Sequence, residues 1–224
     1  MNITRSLLVA AALVAATLAV GVWGFATLPA GAFLPYHQGF GGPDTGHLAK
    51  GPALALLPAV SILVMAALAL APRLAGAGLE RSARPYGLFM VALAGAFLVS
   101  EVALTERMMR PDFNVLRLVF LSVAVLLVIV GNDLGKIRHN HVFGLRTPWT
   151  LGDARVWDKT HRMAGRWMVL GGLALIPASL LVSDGRILVP LMVLFTAGPP
   201  IHAIGYSRRI WRREHPEAGR RTVA

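Results

Sequence analysis

The chain has no cysteine. Disulfide stapling, thiolate metal sites and a thiol nucleophile are therefore excluded together. Charge is scarce too, at 15% of 224 residues, and acid is the scarcer sign: 11 Asp and Glu stand against 22 Lys and Arg. Enzyme signatures are missing. There is no H-E-x-x-H, no G-x-S-x-G, no P-loop and no dinucleotide fingerprint. The nearest catalytic arrangement is His161 with Asp158 or Asp153, and an Asp–His pair three residues apart on a helix is commonplace. No residue is assigned a catalytic role, and no cofactor is expected.

What the chain has in quantity is apolar sequence. A hydrophobic content of 55% and a mean hydropathy of +0.61 exceed what a soluble domain of this length needs. A helix crosses about 30 Å of hydrocarbon in roughly 20 residues. Six apolar runs meet that length, near 6–28, 52–71, 86–104, 115–132, 166–181 and 187–206. The expected fold is an all-α integral membrane protein of six transmembrane helices. The first run is expected as a retained helix, because it is too long for a signal-peptide core and no clean Ala-x-Ala site follows it.

The excess of 22 basic residues over 11 acidic ones could point to nucleic acid, but the distribution of the Lys and Arg points to topology. Arg5, the Arg73, Arg81 and Arg84 loop, the segment 131–166 and the tail with Arg208, Arg209, Arg212, Arg213, Arg220 and Arg221 fall on one side. Only Lys50, Arg107, Arg110 and Arg186 fall on the other. The first side is expected to be cytoplasmic, with both termini inside. One membrane domain over 1–224 is expected: a two-span unit at 1–72 with an ordered outer loop at 29–51, a four-span unit at 86–207, and a basic tail at 208–224.

Between the fourth and fifth spans lies the block 131–165, GNDLGKIRHNHVFGLRTPWTLGDARVWDKTHRMAG. Asn140, Gly144 and Pro148 interrupt periodicity, and Pro148 biases Thr147 toward extended backbone. Thr150 is placed as an N-cap with Asp153 three residues on, so a helix is expected from about Leu151. Along it Trp157, His161, Ala164 and Met168 share one face, and Arg155, Asp158, Lys159 and Arg162 form a wetter one. This helix is expected to lie at the interface before entering the bilayer. Arg138, Arg146, Arg155, Lys159 and Arg162 with two Trp could imitate a nucleic-acid patch. They are better used at an anionic inner leaflet, with Trp149 and Trp157 seated at the interface, and no direct nucleic-acid binding is expected.

These residues carry a resemblance. Gly144, Arg146, Thr147, Pro148, Trp149, Thr150, Leu151, Val156, Trp157, Thr160, His161, Arg162 and Gly165, with Asn132 and Asn140 ahead of them, are similar in order and spacing to the signature of the SdpI family. These are bacterial membrane proteins whose founding member confers immunity to a sporulation-delaying peptide toxin. His139 departs from the pattern, where the family usually has Pro. The resemblance implies a multi-pass protein of the bacterial inner membrane that protects its cell against a membrane-active peptide toxin. It also implies signalling, by holding a small cytoplasmic repressor at the membrane. A small transporter and a membrane-bound enzyme are the rival classes.

The outer loop resembles the small domain that often precedes the SdpI block, through Leu28, Pro29, Pro35, His37, Gly42, Pro43, Asp44 and Lys50. Gly and Pro dominate it, so turns are expected. Pro35, Tyr36, His37, Pro43, Asp44 and Lys50 are the residues placed to face a toxin or other ligand. His37, Asp44 and His47 could offer ligands to a divalent cation, but without tight metal spacing an ordered loop with surface donors is preferred.

Two features within the spans complete the reading. Glu101 and Arg117 lie near the outer ends of adjacent spans and could pair, or each could snorkel separately. Pro199-Pro200 is expected to break or kink the last helix, placing His202 toward the block.

Overall fold

A computed structural model describes residues 3–37, 44–75 and 81–219 of the chain. Its elements are α1 (Ile3–Thr27), β1 (Phe33–His37), β2 (Asp44–Ala49), α2 (Lys50–Ala75), α3 (Ala83–Met109), α4 (Val115–Leu134), α5 (Pro148–Gly152), α6 (Ala154–Leu181), α7 (Gly185–Glu214) and a closing 3-10 turn (Pro216–Gly219). Six of these helices, α1 to α4, α6 and α7, are long and apolar enough to cross a membrane. Large apolar side chains such as Leu8, Leu63, Leu170 and Leu181 stand exposed around them. Such a surface suits lipid and would be a liability in water. This is a multi-pass membrane protein.

Without a hydrophobic drive between helices in lipid, close association depends on small residues that let backbones approach. The seam of α4 and α6 has them. A Cβ on Gly131 would lie 2.7 Å from the carbonyl oxygen of Gly165, and one on Gly172 would lie 2.6 Å from that of Ala124. Helix α1 uses the same device against its neighbours, with Gly21 against Leu54 of α2 and Gly24 against Thr105 of α3. Short polar caps start the later helices. Asn114 Oδ1 accepts from Arg117 N at 3.1 Å to open α4, and Asp184 Oδ1 accepts from Arg186 N at 2.8 Å to open α7.

The loop between α1 and α2 is more ordered than turns alone. β1 and β2 pair antiparallel, with Phe33 opposite Ala49 and Pro35 opposite His47, and an irregularity between Tyr36 and His37. Lys50 closes the hairpin onto α1: its Nζ donates to the carbonyls of Phe25 at 3.1 Å and Leu28 at 2.9 Å. A cation suits those carbonyls because they are the negative end of α1.

Two expectations are corrected. Glu101 and Arg117 do not pair: Glu101 is fully buried on α3 and faces Gly21 of α1, whereas Arg117 is exposed on α4. Their nearness to one short connection said nothing about direction around each helix. Of the break or kink expected at Pro199-Pro200, the break is absent, since Gly185–Glu214 is continuous with Pro190, Pro199 and Pro200 inside it. His202 packs edge-on against Trp167 at 5.0 Å between ring centres, so it faces α6 instead of the loop of the block.

Candidate functional site

The block 131–165 folds into a cap at one end of the bundle, and Asn140 organises its loop. The Asn140 amide donates to the carbonyls of Arg138 at 2.8 Å and Phe143 at 3.0 Å. Its Oδ1 accepts from Val142 N at 2.9 Å and Phe143 N at 2.7 Å. A buried side chain with every partner in place fixes a loop that has no regular structure of its own.

Trp157 and His161 form the centre. Trp157 is fully buried, stacks on His161 with ring centres 4.0 Å apart, and donates from Nε1 to the Ile137 carbonyl at 2.8 Å. His161 Nε2 accepts from Leu145 N at 2.9 Å, which leaves Nδ1 to donate to the Trp157 carbonyl at 2.9 Å. A backbone N–H cannot do otherwise, so these bonds select the neutral Nδ1–H tautomer. Gly144 passes over this pair with φ of +121°, and a Cβ there would meet His161 Nε2 at 2.5 Å. Only glycine serves at that position. The expectation that Trp157 sits at the lipid interface is therefore corrected, because its ring is the core of the cap. Trp149 is half-buried.

The helix start also differs from expectation. Thr147 is the N-cap of the one-turn helix α5, and Thr150 is the third helical residue: Thr150 N donates to Thr147 Oγ1 at 3.1 Å and Thr147 N to Thr150 Oγ1 at 2.8 Å. Asp153 then caps the long helix, its Oδ1 accepting from Arg155 N at 2.6 Å and Val156 N at 3.2 Å. The two hydroxyls formed a capping box in which Thr150 takes the role usually filled by Glu or Gln. From Ala154, α6 runs unbroken from the cap into the apolar span.

Among the contacts that seat the cap on the bundle, three stand out, and none was legible in the block's own sequence. Arg138 N donates to Ser82 Oγ at 2.9 Å, tying the loop to the start of α3. Phe143 packs edge-on against Tyr86 at 5.0 Å. Thr147 Oγ1 and Ser207 Oγ lie 3.0 Å apart, joining α5 to α7. His139, the departure from the family pattern, hydrogen-bonds from Nε2 to the Leu151 carbonyl at 3.0 Å, so it closes the loop onto α5. Thr160 is fully buried with its hydroxyl unpartnered.

The signature thus divides by use. Asn140, Gly144, Thr147, Thr150, Trp157 and His161 turn inward. Asn132, Arg146, Pro148 and Arg162 are exposed, and Leu151 is half-buried against the cap core. Arg146 is held loosely, by one bond of 3.2 Å to the His141 carbonyl. Asn132 and Arg162 line a groove of about 400 Å³ with Gly131, Gly135, Gly165 and Arg166.

Residues 136–202 match the SdpI/YfhL protein family. The match begins within the loop of the cap and ends in α7, so it takes in α5, α6 and the core pair Trp157 and His161. Among curated proteins the chain is similar to "Immunity protein SdpI" of Bacillus subtilis (strain 168), with 33% identity over 86 residues. That alignment covers 38% of this chain and 42% of the relative, so less than half of either is compared. No solved structure matches the chain.

At the other end of the bundle the loop residues are less concentrated. Pro35 and His47 are backbone partners in the hairpin, as are His37 and Asp44, and Tyr36 pairs with Gly46. Pro43 lies outside the described residues. His47 packs edge-on against Phe33 at 4.4 Å. Among the described residues no group of three His, Asp or Glu is arranged to hold a metal ion.

Proposed function

We propose that this chain is a membrane immunity protein that protects a bacterial cell from a membrane-active peptide toxin. The observation that carries the reading is the SdpI-family match over 136–202, coincident with a cap whose inward residues, Thr160 apart, are hydrogen-bonded or packed and whose outward ones are held loosely. Inward residues hold the fold. Asn132, Arg146, Trp149 and Arg162 remain to meet a partner, and a cytoplasmic repressor is the partner class the family resemblance suggests. The Lys and Arg bias supports a cytoplasmic cap with both termini inside the inner membrane, which leaves the hairpin with Pro35, His37 and Asp44 to meet the toxin outside.

The proposed role is non-catalytic. Both nitrogens of His161 are engaged with backbone, so the imidazole has no free lone pair for proton abstraction. The deciding experiment expresses the chain in a toxin-sensitive bacterium and challenges it with the peptide. Survival that Arg146→Ala abolishes at unchanged protein level supports the reading. No protection by the wild-type chain at full expression, against any member of the toxin class tried, removes it.

A further inference from the structure

The seam of α1, α2 and α3 contains an acid that nothing above uses. Glu101 is fully buried, and neither carboxylate oxygen has a hydrogen-bond partner. An ionised carboxylate in that setting is expensive, and in a membrane span an ionisable side chain points to function by default. Its surroundings offer acceptors where donors are needed. A Cβ on Gly21 would lie 3.0 Å from Glu101 Oε1 and 2.8 Å from the Leu54 carbonyl oxygen, so both oxygens face one notch. Leu54 stands four residues before Pro58 within α2. Proline has no N–H, so that carbonyl has lost its helical donor.

The donors in the seam are already engaged. Thr105 Oγ1 donates to the Glu101 backbone carbonyl at 2.9 Å, and Ser61 Oγ to the Pro58 carbonyl at 2.8 Å. The other charged residues of these helices sit toward their ends: Arg5 on α1, Lys50 and Arg73 on α2, and Arg84, Glu106 and Arg107 on α3. Lys50 is held on the α1 terminus, and Glu106 of α3 lies 3.3 Å from Arg110.

We propose that Glu101 and the Leu54 carbonyl form a proton-binding site within the membrane, in the notch that Gly21 leaves open. One proton on Glu101 turns two opposed acceptors into a donor and an acceptor. A metal cation fits worse, because hard cations take about six or more oxygens and the notch presents only the carboxylate and one carbonyl. A groove of about 400 Å³ between α1 and α2 includes Gly21, Leu54 and Pro58 in its lining, so open space adjoins the notch. Losing the proton restores the clash of acceptors. Proton occupancy therefore controls how tightly α1 and α2 close on α3, a property separate from toxin protection.

The test is infrared spectroscopy of the full chain in lipid nanodiscs. At neutral pH the expected signal is a protonated-carboxyl stretch that shifts in deuterated water and is absent from Glu101→Gln, whose amide keeps a donor for Leu54. Pro58→Ala returns an N–H to the Leu54 carbonyl and is expected to weaken proton binding by about tenfold, the worth of one hydrogen bond. The proposal is overturned by the lack of such a band, by a band that survives Glu101→Gln, or by its loss on adding sodium at fixed pH. An unchanged alkaline midpoint in Pro58→Ala overturns the part played by Leu54.

Discussion

The cap and the seam around Glu101 are both polar regions buried against apolar helices, yet they are built on opposite rules. In the cap nearly every buried donor meets an acceptor: Asn140, Thr147, Thr150, Trp157 and His161 are all bonded. In the seam a carboxylate and a carbonyl freed by proline face each other across a glycine. A satisfied network specifies one conformation, because each broken bond leaves an orphan in a low-dielectric setting. An unsatisfied one is stable only when something else can enter. The comparison teaches that the cap's inner side chains are mostly spent on one another and on the backbone, whereas the seam leaves polar atoms unspent.

The sharpest way to break that contrast is Asn140→Ala. It removes four hydrogen bonds at once, and at about 1 kcal/mol net each the cap should lose about 4 kcal/mol. Thermal unfolding in detergent should then begin far below wild type, or the protein should not accumulate. The matching change in the seam, Glu101→Gln, is expected to leave the unfolding temperature close to wild type. Equal losses in both would erase the distinction. Gly144→Ala comes next: strain at φ of +121° and a Cβ 2.5 Å from His161 Nε2 should cost about 2–3 kcal/mol. Trp157→Phe keeps the stack but strands the Ile137 carbonyl, for about 1–2 kcal/mol.

The six spans were legible because apolar length alone decides them, and the structure only moves their ends, as from 6–28 to Ile3–Thr27. The buried face of α6 was legible from helical spacing as well, with Trp157, His161 and Ala164 inward and Arg155, Lys159 and Arg162 outward. Depth and rotation were not. Glu101 and Arg117 sit on neighbouring helices, but Glu101 lies farther from the connecting loop and turns toward α1 while Arg117 turns outward, and a one-dimensional pattern holds no rotation between helices. Trp157 was misplaced for a related reason. An indole near a membrane boundary suits the interface by composition, and its bond to Ile137 depends on a loop closure twenty residues away. The start of α6 was missed because two caps follow in sequence, Thr147 and then Asp153, where one was expected.

Among the outward residues, Arg146→Ala should change stability by less than about 0.5 kcal/mol, since its single bond is exposed. Loss of toxin protection at normal protein level would then place function on the cap's surface. A fall in protein level equal to that of Asn140→Ala would instead return Arg146 to the architecture.

The smallest expected effect lies where α6 and α7 meet beside the cap. Glu214 accepts from Lys159 and lies 3.9 Å from Arg155. All three side chains are reached by water, and salt screens such pairs. Glu214→Gln should leave the unfolding temperature unchanged at physiological salt. Thr147→Val, by contrast, removes the buried hydroxyl contact with Ser207 and the N-cap of α5, and should lower it measurably. If Glu214→Gln proved the more damaging of the two, the ends of α6 and α7 would be held by surface charge. The cap would then owe its seat on the bundle to the exposed groups that the contrast with the seam treats as free.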